Sequence, residues 1–95
     1  NNSEKNKLLK ILSSNSLESE LNQIFENIDA LLLASKLKRE NILKCSIFLK
    51  NMDDFKELND IYSRFFEKPY PARETVEVSR LPKDANIEIS FIAGE

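Results

Sequence analysis

Arg73 stands where a rigid turn, Pro69-Tyr70-Pro71-Ala72, meets an alternating segment that opens at Thr75. Each proline locks its own φ and pushes the residue before it into extended geometry, so the backbone reaches Arg73 with little slack. A guanidinium offers a planar fork of N–H donors that matches a carboxylate or a phosphate. The competing reading is a solvent-facing arginine, since exposed charge is the norm. The sequence has no histidine, which removes Ser-His and Cys-His nucleophilic pairs and the usual transition-metal sites. Its single cysteine, Cys45, excludes an internal disulfide framework. Cys45 alternates with Ile47 and Leu49 and reads as a buried small hydrophobe rather than a reactive thiol. Chemistry must therefore rest on carboxylates, arginine, hydroxyls, backbone groups and water, with neither a metal nor an organic cofactor expected.

Elements that could position Arg73 follow from periodicity. Leu17, Leu21, Ile24, Phe25, Ile28, Leu31 and Leu32 recur at helical spacing, with Ser16 as N-cap and Glu18 and Glu20 in the first turn, so a helix is expected to about Ser35. Lys36, Lys38 and Arg39 read as a solvated helix end that complements the dipole. Residues 44–50 alternate as a strand. Asn51 or Asp53 can cap a second helix whose apolar face is Phe55, Leu58, Ile61, Tyr62, Phe65 and Phe66, an aromatic stripe read as core. A strand is expected over 75–81, a turn at Leu81-Pro82-Lys83-Asp84, and a last strand to about Ala93. That turn suggests antiparallel neighbours, which would put Arg73 and Glu88 at comparable ends of adjacent strands. Residues 1–15 suggest a loop or a short strand.

The 95 residues form one domain with 41% hydrophobic and 32% charged residues, the composition of an ordinary folded protein. No apolar run approaches the roughly 18 residues of a membrane span. A net charge of −2 and a pI near 5.3 argue against a general nucleic-acid binder. The lone thiol points to a reducing compartment, the cytoplasm first and an organelle as the alternative, because a targeting peptide would lie upstream of Asn1. Three strands are thin cover for two helices, so additional sheet is expected, from upstream residues or from neighbouring subunits.

Several segments together resemble the YjgF/RidA family of reactive-intermediate deaminases, also known as the endoribonuclease L-PSP family. They are Ile47-Phe48-Leu49-Lys50-Asn51-Met52-Asp53-Asp54-Phe55, Leu58-Asn59-Asp60-Ile61-Tyr62, Phe65-Phe66, Pro71-Ala72-Arg73, Thr75-Val76-Glu77-Val78, Leu81-Pro82-Lys83 and Ile87-Glu88-Ile89. The resemblance implies an α+β, chorismate-mutase-like sheet backed by two helices, assembled as a homotrimer with clefts between subunits. It also implies that Arg73 grips a substrate carboxylate, that Asn59 and Thr75 line the cleft, and that Glu88 positions or activates water. The implied reaction is hydrolysis of enamine and imine intermediates, of the 2-iminobutanoate and 2-iminopropanoate type, to 2-oxo acids and ammonia.

Departures accompany the matches. The family's N-terminal strands, with a Tyr-containing motif and a Ser-Gly-Gln strand, have no counterpart here. Either they are encoded upstream or the chain is a divergent, even inactive, member. The usual glycine after the first helix is Lys36, and the family's second glutamate in the last strand is Ser90. Two other functions stay open: a non-catalytic trimeric module that binds small carboxylates or a regulatory partner, and, least favoured by the acidic charge, a ribonuclease or translation inhibitor.

Overall fold

The computed structural model describes residues 16–95, so the loop or short strand expected in residues 1–15 lies outside them. Helix α1 spans Leu17–Ala34 and starts where the sequence places its cap: Ser16 Oγ accepts from the Ser19 N–H at 3.1 Å. It ends in a Schellman turn, with Leu37 N–H donating to the Leu32 carbonyl at 2.8 Å and Lys36 N–H to Leu33 at 3.1 Å. Lys36 sits there at φ 58°, the left-handed region, at a cost of roughly 1 kcal/mol for a residue with a Cβ.

Strand β1, Ile42–Leu49, buries Cys45, Ile47 and Leu49 completely. Asn51 Oδ1 accepts from Asp53 N–H and caps a single 3-10 turn, Met52–Asp54, that leads into helix α2, Phe55–Phe65. Strand β2 covers Ala72–Glu77 and strand β3 covers Ile87–Ala93. The two helices pack on one face of the sheet, and their aromatic residues interlock: Phe25 stacks on Phe65 at 4.1 Å, and Tyr62 lies 4.6 Å from Phe66.

The order of the sheet corrects the sequence reading. It is β2-β1-β3, with β1 parallel to β2 and antiparallel to β3, so the last two strands are not neighbours. Linking β1 to β2 through α2 makes a crossover, which delivers a parallel partner. Val78 N–H then donates to the Leu49 carbonyl and Lys50 N–H to the Asn86 carbonyl, so the connection passes round the end of β1 instead of folding back on β2. Leu81-Pro82-Lys83-Asp84 is not a hairpin turn. It forms a 3-10 turn with Lys83 at φ 59° and Asp84 at φ 53°, anchored by buried Leu81.

Arg39 is a second correction, because it is not a solvated helix end. Its Nε and Nη2 grip the Asp29 carboxylate at 2.9 and 2.8 Å, its Nη1 donates to the Phe65 carbonyl at 3.0 Å, and its plane stands 3.8 Å over the Phe65 ring. One side chain thereby ties α1 to the end of α2. Arg39→Ala should lower stability by about 1 to 2 kcal/mol at neutral pH in a chemical denaturation series, the pair being half exposed. The Arg39 hydrogen bond holds the Asp29 carboxyl below its ordinary 3.8. A depressed carboxylate contributes stability above its unfolded value and loses it as pH falls through the folded one. The gap between wild type and variant should therefore narrow as pH falls below about 3.8, leaving the part due to the Phe65 carbonyl and ring.

Candidate functional site

Each residue of β2 takes the face of its partner on β1. Arg73 pairs with buried Cys45, Thr75 with Ile47 and Glu77 with Leu49, so these three project toward the helices. The Arg73 guanidinium carbon lies 4.9 Å from the Tyr62 ring centre and 5.6 Å from that of Phe55. Phe55, Asn59 and Tyr62 recur at i, i+4 and i+7 on α2 and form one stripe. The guanidinium lies along the stripe that carries Asn59. Three of the four sequence candidates, Arg73, Thr75 and Asn59, thus belong to one shelf between α2 and β2.

The shelf is undersaturated in hydrogen bonds. Among the described residues the Arg73 side chain makes no ion pair or hydrogen bond, only its two ring contacts. Asn59 Oδ1, Tyr62 Oη and Thr75 Oγ1 are buried without partners. Each such atom costs about 1 to 3 kcal/mol relative to a satisfied one, and native structures leave few of them without a functional reason. The Cys45 thiol neighbours the Tyr62 hydroxyl but is a weak partner. Burial pushes both groups up from their ordinary values, outweighing the opposing influence of Arg73, so both stay neutral at physiological pH.

Glu88 is elsewhere. It pairs with Phe48 at the start of β3 and projects from the face that the helices leave bare. Relative to Arg73 it is three residues along the sheet and two strands across, about 10 Å in each direction. On that bare face Glu74 binds Lys44 at 3.3 Å and Ser46 at 2.9 Å, while Val76 and Ile92 are 43% and 61% exposed. Glu77, a residue the sequence did not single out, supports the shelf from its far end by accepting Met52 N–H at 2.7 Å.

Concavities also occur away from the shelf. One groove between the helices is lined by Asn22, Asp29, Arg39 and Phe65, and another hollow at the end of α2 by Arg64, Phe66 and Lys68. Neither includes Arg73, which stands on an outer strand whose far edge has no partner among the described residues. The shelf is therefore open on its outer side among the described residues. Among the described residues no three carboxylate or thiol groups converge as a metal cage would require.

Residues 4–95 match the family model described as endoribonuclease L-PSP. The chain belongs to this family, the YjgF/RidA family. It is 42% identical over 76 residues to the 2-iminobutanoate/2-iminopropanoate deaminase of Dermatophagoides farinae, covering 80% of this chain and 59% of that protein. The Rid family protein YyfA of Yersinia pestis superposes with a TM-score of 0.82 at 44% identity, covering 85% of this chain and 65% of that one. Escherichia coli TdcF with bound serine superposes with a TM-score of 0.70 at 38% identity, covering 74% and 57%. The α+β fold, here two helices on a mixed three-stranded sheet, is shared with solved Rid-family structures over the part of them that this chain covers. This RidA-family chain spans about three fifths of the length of the curated relatives it matches.

Proposed function

We propose that this RidA-family protein hydrolyses 2-imino carboxylates, of the 2-iminobutanoate and 2-iminopropanoate type, to 2-oxo acids and ammonia. The observation that carries the proposal is the unpaired Arg73 guanidinium beside the unpartnered Asn59 Oδ1 and Thr75 Oγ1. That is a prepared seat for a small carboxylate with a polar group next to it. The deaminase name of the mite relative and the serine held by TdcF support the same ligand class.

An iminium carbon is already electrophilic, so binding, orientation and water delivery suffice. Water adds to the C=N carbon as the π pair moves onto nitrogen, and the Glu88 carboxylate takes a proton from that water. Glu88 then returns that proton to the carbinolamine nitrogen, and collapse forms the C=O bond, breaks the C–N bond to release ammonia and hands the hydroxyl proton back to the Glu88 carboxylate. Arg73 holds the carboxylate throughout, with Asn59 and Thr75 lining its place.

Because Arg73 and Glu88 occupy opposite faces of one sheet, the glutamate is supplied by a neighbouring copy in a homotrimer. The bare face suits such packing, because it exposes Val76 and Ile92. Light scattering should report three copies per particle, and a monomer at assay concentration would exclude the shared site.

The reading is tested by following ammonia release from a freshly generated 2-aminoacrylate-derived imine, with no rate above buffer as the contrary result. The separation of Arg73 from Glu88 favours a second reading, a module that binds carboxylates without turnover. Calorimetric titration with 2-oxobutanoate separates the two, since binding without ammonia release supports the module.

A further inference from the structure

We infer that Tyr62 is a positioning residue of this site: its ring, with that of Phe55, holds the Arg73 guanidinium in place and leaves the N–H edges free for a carboxylate. The inference rests on the carboxylate-binding reading of Arg73 above. Two arginines of this chain lie over aromatic rings, and the contrast between them is informative. Arg39 stands over Phe65 while its N–H edges are consumed by Asp29 and the Phe65 carbonyl, so it is a finished structural bracket. Arg73 has the ring contacts without any edge partner among the described residues.

An aromatic face attracts the cation through its quadrupole and does not compete for the donors that a carboxylate would use. A carboxylate partner in the same place would restrain Arg73 equally well but would occupy the fork. Restraint before binding matters because a freely rotating arginine loses conformational freedom when it grips an anion, and a restrained one loses less. Tyr62 is itself fixed, 5% exposed and packed on Phe66, so its ring is a rigid support. Its hydroxyl neighbours Cys45 in the core. The ring, and not the hydroxyl, is therefore the working part.

Calorimetric titration with 2-oxobutanoate should show Tyr62→Leu binding about fivefold to thirtyfold more weakly than wild type, the range expected of a partly desolvated cation–π contact. In turnover of the imine the loss should fall on KM more than on kcat. Tyr62→Phe should restore wild-type binding to within about twofold, because it keeps the ring. Phe55→Leu, at a residue 37% exposed, should weaken binding in the same direction and serves if Tyr62→Leu does not fold. Wild-type affinity in both leucine variants, or equal losses in Tyr62→Phe and Tyr62→Leu, would overturn the inference. If the wild type binds no 2-oxobutanoate, the carboxylate reading fails, and NMR still tests the support directly. The Arg73 Nε–H proton should be shifted upfield by the rings in the wild type and move back in Phe55→Leu. A random-coil position in the wild type would refute the inference whatever the titration gives.

Discussion

Arg73→Ala is expected to lower kcat/KM for a 2-imino carboxylate by about a hundredfold to a thousandfold, the loss typical of removing one partner from a charge-assisted pair. Arg73→Lys should recover part of that loss, since lysine keeps the charge and reach but not the planar fork. Steady-state kinetics of ammonia release supplies the measurement, and calorimetry with 2-oxobutanoate should lose its signal in the alanine variant. The fold should hardly notice. Arg73 is exposed and its side chain makes no ion pair or hydrogen bond among the described residues, so thermal unfolding should shift little. Retention of wild-type kcat/KM in Arg73→Ala would remove the guanidinium from the mechanism.

Glu88→Gln is expected to reduce kcat by about a hundredfold to ten-thousandfold with a smaller change in KM, because the amide keeps the shape but cannot take a proton from water. Glu88 is exposed and takes part in no described ion pair, so the substitution carries little structural cost. The decisive experiment combines this variant with Arg73→Ala. Each is inactive alone, but if a cleft draws Arg73 from one subunit and Glu88 from the next, co-refolded mixtures contain clefts with both native residues. Random assortment in equal mixtures should return about a quarter of wild-type activity. A mixture as inactive as its components would place both residues in one subunit's cleft, or Glu88 outside it.

Much of the fold was legible from spacing. Ser16 and the Leu17-Leu21-Phe25-Ile28-Leu32 stripe fixed α1 to within a residue of its end, since cap chemistry and a 3.6-residue period are local. Cys45, Ile47 and Leu49 marked the buried face of β1 for the same reason. Strand order was not legible. Alternation tells which side chains share a face but not which strand lies alongside, and Leu81-Pro82-Lys83-Asp84 has the composition of a hairpin turn while acting as a detour round β1. Arg39 was misread because its partners, Asp29 and the Phe65 carbonyl, lie 10 and 26 residues away. Tyr62 and Phe55 were assigned to the core on their spacing with Phe65 and Phe66. Their relation to Arg73 had one faint signal, the i, i+4, i+7 register with Asn59, which acquires meaning only when β2 is placed beside β1.

By itself, then, the sequence determined the two helices and the order of the strands along the chain, with the strand expected over 75–81 found at Ala72–Glu77, and the family to which Arg73, Asn59, Thr75 and Glu88 belong. These depend on local propensity, composition and motif spacing along the chain. Only the tertiary structure decided that Arg73 meets α2, with Thr75 on the same face, while Glu88 looks out of the opposite face. Facing and adjacency in a sheet are set by the path of the connections, by the crossover through α2 and by the burial of β1 at the centre, and no local pattern encodes them.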